Sequence, residues 1–214
     1  MKRRILLLTM LSLLCVERAT AQWAPAVERA PDVGVALQLD VPGRGNFDLY
    51  DYGLTGKLQF RGWFTEDIGY GLSIGYGQWS TDRNPRRPGA RLFDYSGNLQ
   101  VVPITASARY ALFLDEAWDL VFDLGLTYML VDSDITARNM DESGTRRFKV
   151  SVGDAIQLTP AIGADYHAAD NLIWSFLVGY RHDLSRGSIR TELGPARDNI
   201  MESFFFETAL RFAF

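Results

Sequence analysis

The most regular feature of this sequence is an alternation of apolar and polar residues along most of the chain. In residues 33–41 the valines and leucines occupy the odd positions, and residues such as Gln38 and Asp40 occupy the even ones. A two-residue period sends successive side chains to opposite faces, so it predicts a β-strand with different surroundings on its two faces. Eight segments have this pattern: 33–41, 54–61, 68–77, 102–110, 118–130, 156–166, 172–183 and 204–214.

The connections between these segments alternate in length. Four are long (42–51, 80–97, 132–154 and 185–200), and the three between them are short (65–67, 113–117 and 168–171). Outer-membrane barrels have short periplasmic turns and long outer loops. The pattern therefore predicts an all-β chain, folded as an eight-stranded antiparallel up-and-down transmembrane β-barrel with long extracellular loops. A soluble lipocalin-like barrel is the alternative, and it would place apolar side chains inside and polar ones outside.

Aromatic residues on the apolar face concentrate at the two ends of the segments. At the ends with short connections they are Tyr70, Tyr110, Trp118, Tyr166 and Phe214, and at the ends with long connections they are Tyr52, Tyr76, Tyr128 and Tyr180. Two aromatic girdles around an apolar band are typical of membrane barrels.

The first 21 residues have the composition of a secretory signal peptide. Three basic residues at positions 2–4 precede an apolar run over 5–16, and a small-x-small cleavage site ends at Ala21. We predict Sec-type export with cleavage after Ala21, a short periplasmic extension over 22–32 and a barrel over 33–214. Cys15 lies inside the apolar run and is preceded by Leu14, where a lipoprotein has a small residue, so we expect it to leave with the signal.

Charge and composition argue against several kinds of site. Removal of the signal changes the formal net charge from −4 to −7, which argues against nucleic-acid binding. One cysteine and two histidines leave too few ligands for a cysteine- or histidine-rich metal centre. We predict no metal and no cofactor.

The C-terminal segment carries the clearest family signal. Residues 207–214 alternate up to Phe212 and a final Phe214, as in the signal that outer-membrane proteins present to the barrel-assembly machinery. With the signal peptide and the eight segments, the chain resembles small outer-membrane barrels of the OmpA/OmpX type, without the peptidoglycan-binding domain. The resemblance implies a bacterial outer-membrane location and contacts with periplasmic chaperones during export. Pro103 and Pro160 lie inside two segments, where we expect a bulge or shifted strand starts.

The polar face of the segments contains a nearly balanced set of charges. We place eleven in the barrel lumen: Asp40, Lys57, Arg61, Arg109, Asp119, Asp123, Asp165, Arg181, Asp183, Glu207 and Arg211. Eight strands enclose a space that side chains can just fill, and charges removed from water must pair. We expect an ion-paired network that closes the lumen, with a narrow path for ions or small solutes as the alternative.

The long connections contain most of the arginines. The candidate binding residues there are Arg83, Arg86, Arg87, Arg91, Arg146, Arg147 and Lys149. Arginine binds phosphate in a bidentate manner, and lipopolysaccharide is rich in phosphate, so a lipid or host-surface contact is one interpretation. A solvated loop is the other, because nearby aspartates cancel much of the charge. Residues 145–152 alternate again and predict a projecting hairpin with an exposed edge.

No catalytic constellation stands out. His182 and Ser185 lie at the outer end of one segment, but Leu184 and Arg186 depart from the motif of the lipid A deacylases, so we name no catalytic residue. We predict a non-enzymatic surface protein with an envelope-structural, adhesion or lipopolysaccharide-contact role. A narrow pore and a lipid A-modifying enzyme are the alternatives. The partners expected are outer-membrane lipid and lipopolysaccharide; the oligomeric state is left open, with a monomer expected.

Overall fold

The alternating segments form the strands of a closed antiparallel barrel. A computed structural model describes residues 29–43, 52–80, 93–141, 144–185, 189–191, 194–196 and 202–214. The predicted signal peptide and its cleavage site lie outside these residues. The described residues contain eleven strands: β1 (Asp32–Pro42), β2 (Tyr52–Trp63), β3 (Ile68–Ser80), β4 (Phe93–Phe113), β5 (Trp118–Asp141), β6 (Gly144–Val152), β7 (Ala155–Ala169), β8 (Leu172–Asp183), β9 (Ile189–Thr191), β10 (Gly194–Ala196) and β11 (Ser203–Ala213).

Eight of these strands make the barrel wall. Each pairs with its neighbour in the order β5, β4, β3, β2, β1, β11, β8 and β7, and β7 pairs with β5 to close the ring. The first and last strands are therefore neighbours, with Asp32 opposite Ala213. The prediction of an eight-stranded antiparallel barrel is confirmed. None of the described residues belongs to a helix, so no helix there could cross a membrane.

The two surfaces of the wall are the reverse of those in a soluble protein. Outward side chains such as Val35 and Leu58 are apolar and remain 57% and 62% exposed. Inward side chains such as Asp40 and Arg211 are charged and fully buried. This arrangement does not fit the lipocalin-like alternative, and it does fit an apolar solvent around the barrel.

Short polar turns connect the strands at one end of the barrel. In the turn between β2 and β3 the Thr65 hydroxyl accepts a hydrogen bond from the Ile68 amide at 3.0 Å. Between β4 and β5 the Asp115 carboxylate accepts from the amides of Ala117 and Trp118 at 2.8 and 2.9 Å. Threonine and aspartate favour turns because their side chains replace such backbone hydrogen bonds. We call this the short-turn end, and the opposite one the outer end.

The prolines inside the strands do not produce the bulges expected from the sequence. Pro103 pairs with Met129 in an unbroken β4–β5 register, and Pro160 pairs with Leu124 in β7 and β5. The strand pairing that each proline interrupts is with the neighbour on its other side, β3 for Pro103 and β8 for Pro160. The β3–β4 ladder lacks two consecutive pairs, Gly75 with Pro103 and Tyr76 with Val102, and the register is the same on both sides of the gap. The recorded shift between β7 and β8 lies at His167 and Ala169 instead.

Two barrel strands continue well beyond the outer end. The long connections predicted over 80–97 and 132–154 are partly strand, because β4 begins at Phe93 and β5 ends at Asp141. β6, β9 and β10 extend this ladder into a sheet, which we call the outer sheet: the outer parts of β4 and β5 with β6, β9 and β10. The β6 edge that the sequence left exposed is paired with β9 at Val150–Val152.

Candidate functional site

All eleven charged residues assigned to the lumen from the sequence face the barrel interior. Among those of the eleven whose ion pairs are described below, the most exposed side chain is that of Asp123, at 12%. Such groups are tolerated away from water only when they are paired and hydrogen-bonded. Their contacts form layers along the barrel axis, described below from the short-turn end outward.

Asp165 is the centre of the first layer. It accepts from Arg109 Nη1 at 2.8 Å, from Arg211 Nη2 at 2.5 Å and from the Ser175 hydroxyl at 2.5 Å. Arg109 also holds both oxygens of Asp123, through Nε at 2.6 Å and Nη2 at 2.7 Å. Guanidinium groups suit this role because their planar donors bind two carboxylates at once.

The same layer includes two residues that sequence reasoning missed. Arg211 Nη1 lies 2.9 Å from Asp32 Oδ2, and Arg29 Nη1 lies 2.7 Å from Asp119 Oδ2. Both Asp32 and Arg29 fall in the segment assigned to the N-terminal extension. Asp32 could have been found, because it is in phase with the other inward positions of β1. Nothing in the pattern marks Arg29, which precedes Pro31.

Arg29 and Asp119 close the short-turn mouth of the barrel. The Asp119 carboxylate also contacts His167 Nε2 at 2.9 Å. The Arg29 guanidinium stacks over the Trp63 ring, 4.7 Å from its centroid. The N-terminal segment thus contributes a cation that covers the lumen at the short-turn end.

The middle of the lumen is lined mainly by hydroxyl and amide groups. Lys57 Nζ and Gln59 Nε2 hold the two oxygens of Glu207 at 2.7 and 2.6 Å. The hydroxyls of Thr105 and Thr127 are 2.8 Å apart. Among these groups lies a cavity of about 60 Å³, enough for roughly four water molecules.

A third layer lies toward the outer end. Arg181 Nε lies 3.0 Å from Asp40 Oδ1, and Gln38 Nε2 donates to the same carboxylate at 2.8 Å. Asp183 accepts from Gln157 Nε2 at 2.8 Å. The carboxamides of Gln38 and Gln157 and the guanidinium of Arg181 thus together stabilise the carboxylates of this layer.

An apolar cap covers this layer. Its members are fully or nearly fully buried: Trp79, Val101, Met129 and Phe205. The Arg181 guanidinium lies 5.9 Å from the Trp79 ring centroid and 5.8 Å from that of Phe205. These four residues are in phase with the inward set, so the alternation places them in the lumen, but their lack of charge left the cap unpredicted.

The basic positions assigned to the outer loops are only partly described. Arg83, Arg86, Arg87 and Arg91 lie outside the described residues. Arg146, Arg147 and Lys149 belong to β6, and Lys149 is exposed. Arg147 pairs in register with Arg138, and Lys149 pairs with Thr136. Since alternate positions share a face, Arg138 and Arg147 occupy positions on the same face of the outer sheet as Lys149.

His182 and Ser185 have separate partners at the outer rim. His182 Nδ1 lies 2.8 Å from Glu202 Oε1, and the Tyr180 hydroxyl donates to Glu202 Oε2 at 2.9 Å. The Ser185 hydroxyl accepts from the Ile156 amide at 2.7 Å. No hydrogen bond joins His182 to Ser185 in the described part of the chain. That part also contains no group of three or more residues suited to hold a metal ion.

Two solved structures share this architecture. Neisserial surface protein A is 12% identical to this chain with a TM-score of 0.51, and the match covers 89% of this chain and 100% of that one. The outer membrane protein OprG from Pseudomonas aeruginosa is 15% identical with a TM-score of 0.54, covering 87% and 94%. The fold is that of the small eight-stranded outer-membrane barrels. The sequence matches no protein-family model and no curated protein.

Proposed function

We propose that this protein is a non-enzymatic barrel of the bacterial outer membrane that acts at the cell surface through its outer sheet. The observation that carries the proposal is the continuation of β4 and β5 beyond the barrel. They remain paired as far as Phe93 and Asn139, and β6 adds a further strand to this ladder. From Tyr128 to Asp141 the strand runs about 40 Å at ~3.3 Å per residue. A long paired ladder of this kind holds a surface in place, unlike a solvated loop.

The basic positions of the outer sheet support phosphate as the group that it contacts. Arg138, Arg147 and Lys149 share one face, and that face continues the outward side of the barrel wall at Tyr128 and Leu130. On that face Asp132 and Asp134 follow Leu130, and the basic positions come after them, at the height of the outer lipopolysaccharide headgroups. Arginine and lysine at that level would bind their phosphates.

The contents of the lumen favour this role over that of a pore. Three layers of ion-paired or hydrogen-bonded side chains lie in series, and the buried side chains of Trp79, Val101 and Met129 add an apolar constriction, a feature that closes channels by dewetting. The separate partners of His182 and Ser185 favour it over a lipid A hydrolase, because a serine nucleophile needs a base within hydrogen-bond reach.

The test removes the outer sheet and keeps the barrel. Residues 133–153 would be replaced by a two-residue turn, so that β5 and β7 are joined near the wall. The matched variant retains the sheet and changes the three charges of that face together: Arg138→Gln, Arg147→Gln and Lys149→Gln. Each protein is refolded in detergent, checked by the mobility difference between unheated and boiled samples, and titrated with lipopolysaccharide micelles.

We expect both variants to fold and to lose most of the lipopolysaccharide binding of the wild type. Unchanged binding in both would overturn the proposal. Reproducible single-channel openings of the wild type in a planar bilayer would replace it with the pore alternative. A change in lipid A mass that requires His182 and Ser185 would replace it with the enzyme alternative.

A further inference from the structure

Arg61 differs from the other cations of the lumen in its pairing. Four cations each have a carboxylate oxygen within 3.0 Å: Lys57, Arg109, Arg181 and Arg211. The ion pair of Arg61 with Asp165 is 3.8 Å long. Arg61 is only 5% exposed, and its Nη1 has no hydrogen-bond acceptor in the described part of the chain. A guanidinium has five donors and no acceptor, and burying a donor without a partner is costly.

This donor belongs to the cavity in the middle of the lumen. Arg61, Ser73 and Ser107 all line it, and neither serine hydroxyl has a hydrogen-bond partner among the residues described. Gly71 lies between Arg61 and Ser107 in the register. A Cβ atom at Gly71 would be 2.6 Å from Ser107 Oγ, so the glycine leaves room for the hydroxyl beside the guanidinium.

The carboxylates that line the cavity are hydrogen-bonded, whereas the amide oxygen Gln38 Oε1, also in the lining, has no donor among the described residues. Both oxygens of Glu207 are held by Lys57 and Gln59, and both oxygens of Asp123 are held by Arg109. The charged side chains that line the cavity are three cations against these two carboxylates: Lys57, Arg61, Arg181, Asp123 and Glu207. Among the described residues, the lining thus combines the unpartnered Arg61 donor with one more cation than carboxylates.

We infer that this cavity is a binding site for a small monovalent anion of chloride size, held by Arg61 Nη1 and the hydroxyls of Ser73 and Ser107. An anion accepts hydrogen bonds from all three donors and donates none itself. Water is the alternative occupant, because Gln38 Oε1 and the remaining lone pairs of the carboxylates can accept its O–H donors. The volume of about 60 Å³ admits a halide and is too small for an anion as large as gluconate. The site is independent of the role proposed for the outer sheet.

The experiment uses bromide as the probe. The mature protein is refolded and crystallised with sodium bromide, and anomalous scattering locates the ion. In parallel, the midpoint of thermal unfolding is measured by gel mobility in sodium gluconate and in sodium bromide at equal ionic strength. Sulfate is avoided because it stabilises proteins by exclusion from their surface. We expect a bromide peak within hydrogen-bonding distance of Arg61 Nη1 and a midpoint that rises by a few degrees with bromide.

Three variants separate the site from general salt effects. Arg61→Gln should abolish both the peak and the bromide-dependent rise, and Ser107→Ala should weaken binding several-fold. Thr55→Val is the matched control, because it removes a buried hydroxyl that has no hydrogen-bond partner among the described residues and does not line the cavity. It should keep the full bromide response. If Arg61→Gln does not fold, Ser107→Ala alone decides the point. A cavity that holds only water in bromide crystals, or a response that Ser107→Ala leaves unchanged, would overturn the inference.

Discussion

The indole N–H of Trp174 donates a hydrogen bond to the Thr208 hydroxyl, 2.8 Å away, on the outer surface of the barrel. Both residues face outward among apolar side chains, where a polar group in lipid needs an internal partner. We predict that Thr208→Val lowers the free energy of unfolding by roughly 0.5–1.5 kcal/mol, the usual range for such bonds in membranes. Reversible denaturant unfolding in phospholipid vesicles measures the change.

A double-mutant cycle provides the control for this bond. Trp174→Phe removes the donor, so adding Thr208→Val to it should cost less than Thr208→Val alone. Equal costs in the two backgrounds would mean that the bond contributes nothing in the bilayer.

Asp165 has three cationic neighbours, more than any other carboxylate described in the lumen. Its carboxylate contacts Arg109 and Arg211 directly and lies 3.8 Å from Arg61. Asp165→Asn leaves these buried cations without a common anion, and breaking a buried ion pair costs about 3–5 kcal/mol. We expect the midpoint of denaturant unfolding to fall accordingly. Asp170→Asn, at an exposed turn of the same end, is the matched control and should change stability by less than about 0.5 kcal/mol.

Trp79 forms the largest part of the apolar cap at the outer end. Trp79→Ala should destabilise the barrel by about 3–5 kcal/mol through the cavity that it leaves. It should also allow brief ion currents in a planar bilayer where the wild type is silent, because a water-excluding constriction is opened. Trp118→Ala changes the same residue type on the outward face and should leave the bilayer silent. A silent Trp79→Ala barrel would show that the ion-paired layers close the lumen without the cap.

Gly97 occupies the point where β4 leaves the barrel and joins the outer sheet. Its φ of +144° lies in a region that residues with a side chain rarely adopt, and a Cβ atom there would overlap the carbonyl oxygen of Asp134. Gly97→Ala should therefore loosen the outer sheet and speed its cleavage by protease, while the gel mobility of the barrel stays that of the folded form. At Gly56 a Cβ atom would have no neighbour within 4 Å, so protease should cleave the Gly56→Ala variant at the wild-type rate.

The C-terminal assembly signal remains a prediction from the sequence. Phe212 and Phe214 face outward and are 51% and 70% exposed, so they contribute little to the packing of the lumen. Phe214→Ala should slow assembly into the outer membrane of cells while refolding in detergent proceeds at the wild-type rate. Phe64→Ala changes an equally exposed phenylalanine at a turn and should assemble normally. Equal assembly of the two variants would argue against a signal role for Phe214.

The alternation predicted the orientation of the lumen residues more reliably than their partners. Period two is a property of the extended backbone, so it placed Lys57 and Glu207 on the inner face whatever their neighbours were. Their pairing depends on how strands close around the barrel, since Lys57 lies on β2, Glu207 lies on β11 and β1 runs between them. A periodic pattern contains no information on such contacts across the lumen.

The outer sheet was missed for a different physical reason. Beyond the barrel the two faces of a strand no longer meet lipid and lumen, so the sequence loses the contrast that marks a membrane strand. Asn98 and Gln100 on β4 and Asp132 and Asp134 on β5 are polar on the side that is apolar lower down. The pattern therefore predicted loops where the ladder in fact continues.

The pair of Asp32 and Arg211 has a consequence for the order of biosynthesis. The two residues are separated by 179 positions, and each is fully buried in the finished barrel. In a growing chain Asp32 is made at the start of β1, and Arg211 is made only with the final strand. Every shorter chain therefore contains an aspartate without its counter-ion, and a partly built wall remains electrostatically incomplete until β11 closes the ring. Only a chain that contains its last strand can therefore supply the counter-ion for the buried aspartate of its first.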